Sequence, residues 1–79
     1  MTLNYIAVLN TAKQGNWDKA HHQIQAYTDP MACLIHAYLD RIEGDIANAK
    51  YWYKRADTSM PDNTQEQEWE RLHALAQKN

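Results

Sequence analysis

The sequence predicts an all-α protein of five helices, arranged as two antiparallel helical hairpins with a C-terminal capping helix. Three observations carry this expectation. Glycine and proline are rare, and Gly15, Pro30, Gly44 and Pro61 cut the chain into five segments, each the length of an ordinary helix. Within the segments, apolar residues recur with helical spacing, and the alternation expected of strands is absent. Short polar residues stand where helices should begin and can satisfy the free backbone N–H groups there.

The first segment, about Thr2 to Gln14, places Tyr5, Val8, Leu9 and Ala12 on one face. Thr2 is the expected cap, and Gly15 the stop, because glycine enters the left-handed conformation at little cost. The second, about Trp17 to Tyr27, has Asn16 as its cap and Trp17, Ala20, Ile24 and Tyr27 as its stripe. Asp18 lies in its first turn, where the helix dipole favours negative charge. The third opens on Asp29-Pro30, a cap followed by a proline that loses no hydrogen bond at the first helical position. Leu34, Ile35, Tyr38, Leu39 and Ile42 form its broad apolar face, with His36, Asp40 and Glu43 expected on the opposite, solvated side. The fourth starts at Asp45 with Ile46, Ala49, Tyr53 and Ala56 as its stripe; Trp52 flanks the stripe and Tyr51 lies roughly opposite it. The fifth follows Pro61, with Thr64 and Gln67 spaced as a capping box and Trp69, Leu72 and Ala76 as its stripe, Leu75 alongside.

A chain of 79 residues predicts one domain, residues 1–79, with a modest core for its surface. Cys33 is the sole cysteine, which excludes an internal disulfide and suits a reducing compartment. The N-terminal MTLNYIAVLN lacks the basic start of a signal peptide, and no apolar run approaches the ~20 residues of a membrane span. A cytoplasmic location and no membrane partner are therefore expected. The formal net charge of −2 gives no general attraction to nucleic acid.

The segment GDIANAKYWYKRA with Pro61 beyond it resembles the second half of a tetratricopeptide repeat. The matching positions are Gly44, Asp45, Ala49, Tyr53, Ala56 and Pro61, where small residues let helices approach and an aromatic fills the space beside them. GNWDKAHHQIQAY, from Gly15 to Tyr27, is a weaker echo. The two glycines lie closer together than the family's period of roughly 34 residues. In strict register the large apolar positions of the second unit fall on Cys33, His36 and Asp40, whereas the helical wheel buries Ile35, Leu39 and Ile42. The run AYLDRIEGDIANAKYWYKRA is also similar to small bacterial proteins with no assigned activity. The repeat resemblance implies a helical scaffold that binds a protein or peptide. It also implies that the fifth helix caps the array, with Trp69 against the fourth helix, and that the first helix leaves an outer surface open to self-association.

No catalytic site, cofactor or metal site is expected. Cys33 and His36 are spaced C-x2-H, but a structural zinc site wants four converging ligands, and His21 and His22 point apart on their helix. His36, Asp40 and Glu43 share a face, as charged residues on any solvated helix do. No glycine-rich phosphate cradle is present. Tyr51, Trp52, Lys54 and Arg55 combine aromatic and cationic groups and are the expected partner-binding residues. The acidic stretch Glu66 to Glu70 is expected to neutralise Lys50, Lys54 or Arg55. The expected function is a non-catalytic interaction or scaffold module. The alternatives are a homo-oligomeric structural protein or a small binder of metal or single-stranded nucleic acid.

Overall fold

The computed structural model describes residues 4–78. Five helices follow in order: α1 (Tyr5–Lys13), α2 (Trp17–Ile24), α3 (Pro30–Glu43), α4 (Ile46–Arg55) and α5 (Gln65–Gln77). The described residues contain no strand, so the chain is all-α. α1 pairs with α2 and α3 with α4, each across a short turn that contains a glycine.

Local chemistry sets most boundaries. The expected cap Thr2 lies outside the described residues; within them, Asn4 caps α1 by accepting from the Ala7 N–H at 3.1 Å. Asn16 precedes α2 but makes no side-chain capping bond. α2 ends at Ile24 rather than at Tyr27, and Tyr27 turns outward instead of joining the stripe. The reason lies downstream: Pro30 favours extended backbone at Asp29 (ψ 162°), so the chain must leave the helix beforehand. Gly44, with φ 91°, closes α3: its N–H donates to Arg41 O and the Asp45 N–H reaches back to Asp40 O at 2.9 Å. Asp45 then caps α4 by accepting from the Asn48 N–H at 3.2 Å. Thr64 and Gln67 form the reciprocal capping box at 3.0 and 2.9 Å.

α3 is the central element and touches all four other helices. It is therefore buried nearly all round, and Met31, Ala32, Cys33, Ile35, His36, Ala37, Tyr38, Leu39, Asp40 and Arg41 are all buried. The expected division into an apolar and a solvated side fails here. His36 and Asp40 lie inside and only Glu43 is exposed, while Ile42 emerges beyond the cover of the neighbouring helices. Ile46 is likewise exposed rather than part of a buried stripe.

The main core joins Val8 and Leu9 of α1, Ile24 of α2, Ile35 and Leu39 of α3, and Leu72 of α5. A smaller cluster of Ala37, Ala49 and Tyr53 seals α3 to α4, where two alanines permit close approach.

α5 does not stack on the backbone of α4. It folds back onto α3 and α1, and the Trp69 indole N–H donates to Leu9 O at 2.8 Å. Trp69 therefore sits against the first helix rather than the fourth, and α1 is covered on this side. α5 reaches α4 through a buried polar knot instead. The Tyr53 hydroxyl donates to Glu68 Oε2 at 2.6 Å, and Asn63 and Arg71 donate to the same carboxylate. Arg41 completes the knot by donating to the Asn63 side chain at 2.8 Å and to its carbonyl at 2.5 Å.

Candidate functional site

Two features stand out from this frame: the outer face of α4, and a ladder of rings that runs inward from it to α2.

α4 carries its cations on the side turned away from α3, because Ala49 and Tyr53 occupy the buried side. Lys50, Tyr51, Lys54 and Arg55 are exposed, Tyr51 at 52 %. Trp52 is half-buried, and its ring meets Tyr51 edge-on with centroids 5.2 Å apart. The Arg55 guanidinium lies over Trp52 at 5.0 Å and over Tyr51 at 5.9 Å. Tyr51, Trp52 and Arg55 thus cluster, with Lys54 exposed on the same helix, although Trp52 is tied to the interior as well. Lys50 and Lys54 also line a shallow groove with Thr58, Ser59 and Met60.

The expected neutralisation of these cations by α5 does not occur. Among the described residues the single ion pair is Arg71 with Glu68, 2.7 Å apart, and Glu68 is turned into the knot. Burial would raise the Glu68 pKa, but hydrogen bonds from Arg71, Tyr53 and Asn63 outweigh it and hold the carboxyl below its ordinary value of 4.5.

The ring ladder starts at Trp17, whose indole N–H donates to Leu39 O at 2.7 Å and whose ring stacks on His21, 4.7 Å away. His21 meets His36 edge-on at 4.9 Å, and His36 stacks on Trp52 at 4.1 Å. Helices α2, α3 and α4 contribute one rung or more each. One nitrogen of each histidine and a carboxylate oxygen of Asp40 lie within 4.8 Å of one another. Asp40 is oriented from α4, where Asn48 donates to its Oδ2 at 2.8 Å. His36 Nδ1 is buried and has no hydrogen-bond partner. Burial, then the neighbouring His21, pushes the His36 imidazole down to about 4. Burial, then the charges of Asp45 and Glu43, pushes the Asp40 carboxyl up to about 6 against the Asn48 hydrogen bond.

The sequence pairing of Cys33 with His36 is not what the fold assembles. Cys33 is buried with Sγ directed at Thr28 O, 3.4 Å away, and burial pushes its thiol above the ordinary range. His21 replaces it as the neighbour of His36, whereas His22 is exposed beside Gln25. Asp40 was visible from the sequence as the i+4 partner of His36. His21 was not, because its approach depends on the packing of α2 across α3.

No helix among the described residues is long and apolar enough to cross a membrane. In comparisons with protein-family models, with curated proteins and with solved structures, the chain matched none.

Proposed function

We propose that this chain is a non-catalytic protein-binding module, with the outer face of α4 as its contact surface and an acidic segment of a partner protein or peptide as the occupant. The observation that carries the reading is the combination on α4 of an exposed tyrosine with Lys50, Lys54 and Arg55, none of which is ion-paired among the described residues. Tyrosine and arginine anchor protein contacts because they offer large area and directed polarity at low entropic cost. Three exposed cations on one helix favour a carboxylate-bearing partner and raise its encounter rate. The overall charge of −2 makes a long polyanion a poorer occupant. The resemblance of the Gly44 segment to tetratricopeptide repeats, which present helical surfaces to peptides, supports the same reading, and the lone cysteine suits a cytoplasmic setting.

A second reading, self-association, is favoured by Ile42 and Ile46, which flank the Gly44 turn at 37 % and 42 % exposure. Sedimentation against concentration separates the two, since the module is expected to stay monomeric when its partner is absent.

The test is affinity capture from native lysate beside a Tyr51→Ala, Lys54→Ala, Arg55→Ala variant. All three side chains are exposed, so the variant should fold. A partner retained by the native chain, lost in the variant and eluted by salt is the expected outcome. Equal recovery with both would refute the assignment to α4.

A further inference from the structure

We infer that His21, His36 and Asp40 form a binding site for a divalent transition ion of the zinc class, with two imidazole nitrogens and one carboxylate oxygen as protein ligands. The site is separate from the α4 surface and does not depend on that reading.

The donors come from two helices. His36 and Asp40 are four residues apart on α3 and so lie one turn apart on the same face. His21 approaches from α2. Their donor atoms lie within 4.8 Å of one another. Bonds of 2.0–2.2 Å in tetrahedral geometry require donors about 3.3–3.6 Å apart, so the cluster must tighten by somewhat more than 1 Å. His21 can supply that movement because it is half-exposed, whereas His36 and Asp40 are held in place.

The surroundings favour coordination over a purely packed histidine. Trp52 clasps His36 by its face, and a metal binds in the ring plane, so stacking leaves the coordinating edge accessible. Asn48 fixes the Asp40 carboxylate through one oxygen and leaves the other, which is how an outer hydrogen bond orients a ligand. The buried, unpartnered His36 Nδ1 is the independent observation. A buried polar atom without a partner costs stability, and a cation bound at Nδ1 itself would repay it. Two imidazoles and a carboxylate suit the later first-row ions over calcium or magnesium, and three protein ligands leave a position for water or an external group.

The experiment is calorimetric titration of untagged protein with Zn2+, with the ring resonances of the histidines followed by NMR. The expected result is one ion per chain, with the His21 and His36 resonances shifted first. Affinity should fall at least tenfold in His21→Ala and in Asp40→Asn and be unchanged in His22→Ala and His73→Ala. His21→Ala removes a half-exposed ring and keeps the test valid if Asp40→Asn fails to fold. Absence of saturable binding at one equivalent, or binding indifferent to His21→Ala, would overturn the site.

Discussion

Glu68 enters the interior with its charge intact because Arg71, Tyr53 and Asn63 all donate to it. The consequence for stability has a definite sign. Its pKa is lower in the fold than in the unfolded chain, so its contribution is fully present above pH 4.5 and is lost as pH falls through the folded value. Glu68→Gln should cost about 1.5–3 kcal/mol at pH 7, the range for hydrogen bonds to a charged group. Urea unfolding at pH 7, 5 and 3 should show the two proteins converging toward pH 3; a constant gap would contradict the assignment. None of this was legible from the sequence. Glu68 reads there as one member of a solvated acidic run, and its partners Tyr53 and Asn63 lie on other elements. The same holds for Arg41 and for His21, whose surroundings are made by residues distant in the chain. Tyr51 was legible, because its exposure follows from its place on one helix.

Helix ends were legible where one short peptide decides them. Asp29-Pro30, Gly44-Asp45 and Thr64 to Gln67 each act within a turn, and the fold uses them as the sequence suggests. The end of α2 was misplaced because helical spacing ran on to Tyr27 while Pro30 acted from beyond. The faces of α3 were misjudged for a different reason. A helical wheel assumes one solvated side, and a helix with four neighbours has almost none. The strict repeat register would have put Cys33, His36 and Asp40 inside, where they lie. Gly44 provides a test at this scale. A Cβ there would meet nothing within 4 Å, so any cost of Gly44→Ala comes from the left-handed backbone alone. The substitution should destabilise by about 1 kcal/mol, net of the entropy it removes from the unfolded chain. Thermal unfolding reads this directly, and an unchanged midpoint would mean that the turn does not hold α3 to α4.

At the scale of the molecule, the fold class was legible and the closure was not. Composition, punctuation and spacing all indicate helices, but no local signal places α5. It returns to α1 and α3 because Trp69, Leu72 and Ala76 complete the core there. That closure leaves the cations of α4 without an ion pair among the described residues, and the functional reading follows from it. The most direct measurement is site-directed photo-crosslinking in native lysate, with benzoylphenylalanine in place of Tyr51 on α4 and, separately, in place of the exposed Glu70 on α5. A discrete adduct with another protein is expected from position 51, suppressed by Lys54→Ala with Arg55→Ala, and none from position 70. Equal crosslinking at both positions, or adducts only between copies of the chain, would contradict it.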